Sequence, residues 1–168
     1  MSVTASEARR NLFPLIERVN NDRIPVEITS RRGNAVLLSA EEYASLEETA
    51  YLLRVPANAK RLIESLQQAR VGDRHEHELA ECGWDDYKHW LKADRQTLKR
   101  INRQTLKRID RLIDDALRDP TDGIGKPEPL KHLLTGAWSR RITDEHRLVY
   151  LVDGDDLVVL QARFHYNK

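Results

Sequence analysis

Cysteine is nearly absent from this sequence, since Cys82 is the only one among 168 residues. A single thiol excludes an intrachain disulfide, so nothing argues for an oxidising compartment, and we expect a cytoplasmic protein. Long apolar runs are also missing. No stretch reaches the roughly 18 residues of a membrane span, and the start MSVTASEARRN has no apolar signal region. We therefore expect a soluble protein that does not contact a membrane.

Several kinds of catalytic site lack their signatures. His75 and His77 in HEHE are better explained as an exposed polar tract than as metal ligands, so we predict neither metal nor cofactor. The segment GIGKP lacks the Lys-Ser/Thr and the following helix of a phosphate-binding loop. A triad built from Ser139, His165 and an aspartate has no nucleophile elbow to support it.

Charge is unevenly distributed along the chain, although the formal net charge is only +1. Residues 1–83 carry 11 Lys and Arg against 13 Asp and Glu, whereas residues 84–168 carry 17 against 14. The second half is therefore the basic one. This asymmetry alone is only a weak indication of a polyanionic partner.

The first half has the pattern of helix, hairpin and two further helices. Residues 6–20 have helical apolar spacing, with Ser6 as the predicted N-cap and Pro14 as the discordant residue. The segment VEITSRRGNAVLLS predicts two strands around a turn. Ser39 then caps a second predicted helix, which Pro56 interrupts before a weaker helical pattern.

The second half predicts two helices followed by an antiparallel meander. WDDYKHWLKA is amphipathic, and the verbatim repeat of Arg95–Ile101 as Arg103–Ile109 keeps its apolar residues within an arc of roughly 160°. One helix therefore fits both copies, ending at Asp119-Pro120. Strand-like runs at 137–143, 146–152 and 157–166 complete an α+β pattern.

The repeat itself matches no repeat architecture. Its period of eight residues is neither the seven nor the eleven of supercoiled helices, and two copies do not make an array. Its basic residues fit either a helix that faces nucleic acid or a solvated surface.

A carboxylate, several guanidinium groups and a histidine occur together in KPEPLKH, WSRR, DEHR and RFHY. These groups suit metal-independent RNA cleavage, in which a base removes the 2′-hydroxyl proton, an acid protonates the leaving oxygen and cations stabilise the phosphorane. The same groups are also common in surface loops and ion pairs, so composition alone does not choose between these interpretations.

The stretch GKPEPLKHLLTGAWSRRITDEHRLVYLV, with the terminal RFHY, resembles the YoeB-type toxins of the RelE-like mRNA interferases, which act on the ribosome. The resemblance covers about residues 84–168. It implies Glu128 as general base, His165 as general acid and Arg147 as the cation that stabilises the phosphorane. It also implies a role in RNA binding for a further set of residues, Lys131, His132, Arg141 and Tyr166.

The segments SEARRNL, ITSRRGNAVLLS and EEYASLEETAYLLRVPANAKRL resemble a YefM-type antitoxin of the Phd/YefM class. This resemblance implies a homodimer that binds operator DNA through cationic residues of the N-terminal region: Arg9, Arg10, Arg31 and Arg32. The predicted organisation is an α/β DNA-binding and dimerisation region at 1–53, a neutralising segment and junction at 54–83, and a RelE-like toxin domain at 84–168 with two helices on an antiparallel sheet.

Two features depart from the resembled families. ELAECG stands where the toxins begin with a hydrophobic strand, so the toxin sheet either lacks that strand or takes a substitute from the antitoxin part. The duplicated segment adds eight residues, or about 12 Å of helix.

The hairpin before the C-terminus sets a geometric condition. A two-residue loop at 154–155 would place Arg147 and His165 on opposite faces, so we predict a register shifted by one residue, by loop length or by a bulge beside Gly154. That register would bring Arg147, Arg163 and His165 together.

Three hypotheses follow. The first is an endoribonuclease held inactive by its own antitoxin, in the same chain or by exchange between two chains. The second is a DNA-binding autorepressor with a catalytically inactive toxin half. The third is an assembly with neither activity.

Overall fold

The computed structural model describes residues 1–71, 81–93, 99–154 and 156–164. The chain forms two compact units, Met1–Glu47 and Glu48–Lys168. Within the described ranges, no helix is both long enough and apolar enough to cross a membrane. The predicted domain limits at residues 53 and 83 stay a prediction.

The first unit is a small mixed sheet with helices. Strands β1 (Ser2–Thr4), β2 (Val26–Thr29) and β3 (Ala35–Leu37) lie in that order, with β1 parallel to β2 and β3 antiparallel to it. Helices α1 (Ala5–Arg10) and α2 (Leu12–Asn21) follow β1. The core consists of Ala8, Leu15, Val19 and Val26. The predicted helix and hairpin are therefore confirmed, whereas β1 was not predicted.

The first helix begins and divides at other residues than the pattern predicted. Thr4, not Ser6, is the N-cap, because its side chain accepts from the Glu7 N–H while the Glu7 carboxylate accepts from the Thr4 N–H. The helix breaks at Asn11 and restarts at Leu12. Pro14 consequently lies in the first turn of α2, where a missing N–H costs little.

Helices α3 (Ala40–Leu53) and α4 (Pro56–Val71) follow the hairpin. Ser39 caps α3 as predicted, since its hydroxyl accepts from the Glu42 N–H at 3.1 Å. Pro56 is the first residue of α4, a position where proline removes no helical hydrogen bond. Pro56 therefore marks the break between α3 and α4 and begins α4.

The second unit contains an antiparallel sheet in the order β4-β5-β6-β7. Its strands are β4 (Glu128–Pro129), β5 (Ala137–Arg141), β6 (Arg147–Asp153) and β7 (Asp156–Gln161), with a 3₁₀ turn at His132–Leu134. Helices α5 (Glu81–Ala93) and α6 (Lys99–Arg118) precede them. The predicted α+β class is confirmed. Among the described residues of this unit no strand precedes α5, and residues 72–80 lie outside the described part.

The sheet is covered on both faces, with a separate core on each. Residues of α5 and α6, including Trp90, Ile109 and Leu112, pack on one face. Residues of α4, including Leu62 and Leu66, pack on the other face together with the end of α3. A strand covered on both faces needs apolar residues at successive positions, which explains the uninterrupted LVYLV run in β6.

The repeat lies partly within α6. That helix holds all of the second copy and the last three residues of the first, whereas residues 94–98 lie outside the described part. Ile109, Leu112 and Ala116 are buried, but Leu117 is 52% exposed, so the apolar face is narrower than predicted. The helix ends just before Asp119-Pro120, as predicted.

The β6–β7 hairpin has the shifted register that the sequence predicts. Asp153 pairs with Asp156 across a two-residue loop, and the pairing changes from Tyr150 with Val159 to Val149 with Gln161. The shift is therefore confirmed, but its position is wrong: the extra residue lies within the strands and not beside Gly154.

Candidate active site

Four polar residues from three strands share one face of the second unit's sheet. Glu128 on β4 is opposite Ser139 on β5, and Arg141 on β5 is opposite Arg147 on β6. Cross-strand partners project to the same side of an antiparallel sheet, and so do residues two apart on one strand. The predicted base and the predicted phosphorane-stabilising cation thus lie on the same face.

The turn before β6 fixes the orientation of Arg147. The residue is only 4% exposed, and its Nη1 donates to the carbonyls of Thr143 at 2.9 Å, Asp144 at 3.2 Å and His146 at 3.3 Å. Because that end of the guanidinium is bound to backbone, Nε is directed elsewhere.

Nε of Arg147 donates to a carboxylate from the antitoxin half of the chain. The acceptor is Oε1 of Glu48 on α3, at 2.6 Å, and the Ser139 hydroxyl donates to the same oxygen at 2.7 Å. Both side chains of the ion pair are less than a tenth exposed. A buried carboxylate with two short donors satisfies the guanidinium and excludes another anion from Nε.

Tyr51, one helical turn after Glu48, covers the same guanidinium. The Arg147 Cζ lies 4.6 Å from the centre of the Tyr51 ring, and the Tyr51 hydroxyl donates to the Glu145 carbonyl at 2.7 Å. The ring also contacts Phe164 at a centroid distance of 5.1 Å. Residues three apart on a helix share a face, so Glu48 and Tyr51 reach the site together.

The predicted base Glu128 and the predicted RNA-binding residues differ in their contacts and exposure. Glu128 pairs with Lys126 at 2.9 Å, and its side chain is 14% exposed. The backbone N–H of Lys131 donates to the Thr49 hydroxyl at 2.9 Å. His132 and Arg141 are exposed. The antitoxin helix α3 therefore also contacts the segment that follows Glu128.

Arg140, next to Arg141, points to the opposite face and is fully buried. Its Nε donates to the Tyr150 hydroxyl, and its Nη1 donates to Asp115 and to the Ile124 carbonyl. Its Nη2 donates to the carbonyls of Asp119 and Asp122. All five N–H groups are thus used, and they attach the loop that leads to Glu128 to the sheet and to α6.

The environment of Arg140 also shifts the pKa values of two of its partners, Asp115 and Tyr150. Hydrogen bonds from Arg140 and from the Ile124 N–H hold the pKa of the Asp115 carboxyl below its usual range. The pKa of the Tyr150 hydroxyl is raised, chiefly by burial.

The chain after β7 is attached to α5 and to the turn before β6. The Asp86 carboxylate accepts from the Ala162 N–H at 3.2 Å, and Nδ1 of His146 accepts from the Phe164 N–H at 3.3 Å. These bonds hold the residues directly before the predicted acid His165. His165 and Tyr166 themselves lie outside the described residues.

The prediction that Arg163 joins Arg147 is wrong. Nη1 of Arg163 lies 3.0 Å from Nε2 of His89, and its Nε lies 3.8 Å from Asp86, both on α5. The physical reason is that β7 ends at Gln161 and the chain bends at residues 162–163, which ends the two-residue alternation of a strand.

The four predicted DNA-binding cations belong to the first unit and are exposed. Arg9 and Arg10 form the last turn of α1, and Arg31 and Arg32 form the turn between β2 and β3. The parallel strands β1 and β2 both end at the edge from which α1 and this turn start. Within the described residues none of the four is in a salt bridge.

Comparison with known proteins gives the two halves separate relatives. A model described as "YoeB-like toxin of bacterial type II toxin-antitoxin system" matches residues 79–166, and one described as "Antitoxin Phd_YefM, type II toxin-antitoxin system" matches residues 1–72. Antitoxin YefM of Streptomyces coelicolor is 61% identical over 79 residues, 47% of this chain and 91% of that protein. Toxin YoeB of the same organism is 57% identical over 84 residues, 50% of this chain and 90% of that protein.

Among solved structures, the YoeB/ParE toxin from Agrobacterium tumefaciens is 46% identical, with a TM-score of 0.46, over 52% of this chain and 95% of that one. The two family models and the Streptomyces relatives, not this structural likeness, identify both halves as components of type II toxin–antitoxin systems. The chain belongs to the YoeB-like toxin family over residues 79–166 and to the Phd_YefM antitoxin family over residues 1–72, and it joins the two in one polypeptide.

Sequence reasoning missed the residues that contact the predicted site from the antitoxin half. Glu48 and Tyr51 are three apart in EETAYLL, a spacing that predicts a shared helix face but not the partner of that face. They lie upstream of the segment 54–83 that the sequence predicts as neutralising. Ser139 was considered only as a nucleophile.

Proposed function

We propose that residues 84–168 act as a metal-independent, ribosome-dependent mRNA endoribonuclease, which the antitoxin part of the same chain inhibits. The observation that carries the inhibition is the buried ion pair between Glu48 and Arg147. Because Nε of Arg147 already binds a carboxylate, an RNA phosphate cannot use it until Glu48 leaves.

The reaction is a transfer of the phosphoryl group within the RNA. Glu128 takes the proton of the 2′-hydroxyl, the 2′-oxygen forms a bond to phosphorus, and the bond from phosphorus to the 5′-oxygen breaks. His165 donates a proton to that leaving oxygen, which leaves a 2′,3′-cyclic phosphate and a 5′-hydroxyl. Arg147 stabilises the charge that develops on the phosphorane.

Several observations support these roles. Glu128 and Arg147 share a sheet face, and Lys126 orients the Glu128 carboxylate through a 2.9 Å ion pair. The bonds from Asp86 and His146 to the chain after β7 hold the backbone that leads to His165. RNA binding by Lys131, His132, Arg141 and Tyr166, and ribosome dependence in the cytoplasm, rest on the toxin family.

The antitoxin half is proposed to dimerise and to bind operator DNA. Its cations Arg9, Arg10, Arg31 and Arg32 are exposed. The first unit also exposes apolar side chains of α2, where Phe13 is 79% exposed, next to Leu12 and Ile16. An exposed apolar patch on a small unit favours association with a second copy.

Substitution of Glu48 tests the proposal. Removing one partner of a buried charge pair costs about 2–5 kcal/mol, so E48A should release Arg147 and raise mRNA cleavage on programmed ribosomes at least about tenfold. The measurement is the initial rate of cleavage by the full chain at equal concentrations of folded protein.

Glu47 provides the matched control, because it is the preceding glutamate and is exposed. E47A should cleave like the wild type, and E48A/R147A should lose the gained activity. A folded E48A that cleaves no faster than the wild type would contradict inhibition by this ion pair. If E48A cuts nothing and the chain still binds DNA, the autorepressor hypothesis replaces the nuclease.

A further inference from the structure

Ser139 is a buried hydroxyl in the middle of the proposed site. It is 1% exposed, and its Oγ donates at 2.7 Å to the same Glu48 oxygen that Arg147 Nε reaches at 2.6 Å. Two donors from neighbouring strands therefore converge on one anionic oxygen. Within the described residues Ser139 has no other side-chain hydrogen bond.

The Glu48 oxygen bound by Ser139 and Arg147 is chemically similar to an oxygen of a phosphate group. Carboxylate and phosphate oxygens are both anionic acceptors, and a guanidinium binds either with similar geometry. Nη1 of Arg147 is bound to three backbone carbonyls, and Nε is the donor that reaches the Glu48 carboxylate. A site built to bind a phosphoryl oxygen would need the same two donors that hold Glu48.

Ser139 also lies close enough to the strand of the proposed base, Glu128, to bind a phosphate at the same site. Ser139 is directly opposite Glu128 in the β4–β5 pairing, and both project from the same face. An anionic oxygen bound to Ser139 therefore lies beside the strand that carries the base. When Glu48 leaves, the Ser139 hydroxyl is free to donate to another acceptor, and an oxygen of the substrate phosphate can take that place.

We infer that the Glu48 carboxylate occupies the position of a phosphoryl oxygen of the RNA, and that Ser139 is a further substrate-binding residue that donates to this oxygen together with Arg147. The inference rests on the proposed function. It makes Glu48 an inhibitor that competes with the phosphate for two donors, and it assigns Ser139 to phosphate binding and not to nucleophilic attack.

Binding of a short 2′-O-methyl RNA tests the inference, since this RNA has phosphates but no 2′-hydroxyl nucleophile. Affinity is measured by fluorescence anisotropy on the full chain. We expect E48A to bind at least tenfold more tightly than the wild type, and E48A/S139A to lose about tenfold of that affinity, the effect of one hydrogen bond to a charged group. E48A/S139T, which keeps the hydroxyl, should restore it.

Ser65 is the matched control. It is fully buried in the same unit, and its hydroxyl donates to the Leu160 carbonyl at 2.9 Å. E48A/S65A should bind the RNA like E48A. Thermal unfolding by circular dichroism checks that each variant is folded, and E48Q, which keeps the side-chain volume, replaces E48A if that variant does not fold.

Two results would overturn the inference: equal affinity of E48A and E48A/S139A, or no gain of affinity on removing the Glu48 charge. Failure of the proposed function looks different. In that case E48A binds the 2′-O-methyl RNA through Ser139 but cleaves no mRNA on ribosomes, which would leave the phosphate site in place and remove the nuclease.

Discussion

Two buried arginines of the second unit use their donors in different ways. Arg140 donates hydrogen bonds from all five N–H groups, to two side chains and three backbone carbonyls. Arg147 binds backbone carbonyls with Nη1 and directs Nε to Glu48, which is 99 residues away in the sequence. The first pattern holds a loop in place, whereas the second leaves a donor that a different anion could take.

Arg140→Lys should destabilise the protein. A lysine offers three donors in place of five and cannot form the planar fork, so it cannot bind all three carbonyls, Asp115 and the Tyr150 hydroxyl. Each lost hydrogen bond to a charged group costs about 1.5–3 kcal/mol, so the free energy of unfolding should fall. The midpoint of urea unfolding, followed by tryptophan fluorescence, measures the loss.

The exposed neighbour Arg141 is the control for that experiment. R141K should change the free energy of unfolding by no more than about 0.5 kcal/mol, as for most surface substitutions. Equal midpoints for R140K and the wild type would show that the five hydrogen bonds do not hold the loop.

At the scale of elements, the segment after β7 is attached to the turn before β6 through His146. The ring is half-buried, lies edge-on to Trp90 at 5.1 Å and accepts from the Phe164 N–H. Burial lowers the pKa of His146; Glu145 on its own turn opposes this shift, and so does Asp86 on α5. Arg163 and His89 add to the lowering.

Acidification should therefore weaken the fold through His146. Because its folded pKa lies below the unfolded value of 6.5, the unfolded chain takes up a proton first, and stability falls as the pH drops through that value until the folded pKa is passed. Protonated Nδ1 also cannot accept from Phe164. In H146N the urea midpoint should fall less between about pH 7.5 and 5.5 than in the wild type.

His132, which is exposed, serves for comparison. H132N should keep the wild-type dependence on pH. An unchanged dependence in H146N would mean that other groups cause the fall.

Most helices and strands could be predicted from sequence patterns, but their exact ends and irregularities could not. Apolar spacing and turn residues predicted α3, α6, the β2–β3 hairpin and the strands of the meander. The cap at Thr4 and the break at Asn11 were missed, because Thr4 and Ser6 both have helix-capping side chains and only backbone geometry separates them. The position of the bulge was missed because one extra residue, in the loop or anywhere along the paired strands, changes the faces in the same way.

At the scale of the whole molecule, inhibitor and proposed active site belong to one chain. Joining them sets the effective concentration of the inhibitor at about the millimolar level, whatever the protein concentration. The low cleavage rate per molecule should therefore not change when the wild-type chain is diluted from about 10 μM to 1 nM. A rate per molecule that rises on dilution would indicate inhibition by exchange between two chains.

Operator binding should depend on the two adjacent arginines, Arg31 and Arg32, of the β2–β3 turn. R31A/R32A should bind an operator-like duplex more weakly and reduce the slope of log K against log salt by about 2 for each copy of the chain that contacts DNA. Gel shifts at several salt concentrations measure this slope. R18A, which removes a cation already paired with Asp22, should keep the wild-type slope.

The sequence by itself determined the two families, the α+β class and the residues Glu128 and Arg147 as candidates, because these depend on local spacing and on continuous motifs. Only the tertiary structure decided that Glu48 and Ser139 meet Arg147 at one oxygen and that Arg163 lies with α5. The reason is physical: a helix face or a strand parity limits which direction a side chain takes, but the partner it meets depends on how distant segments pack.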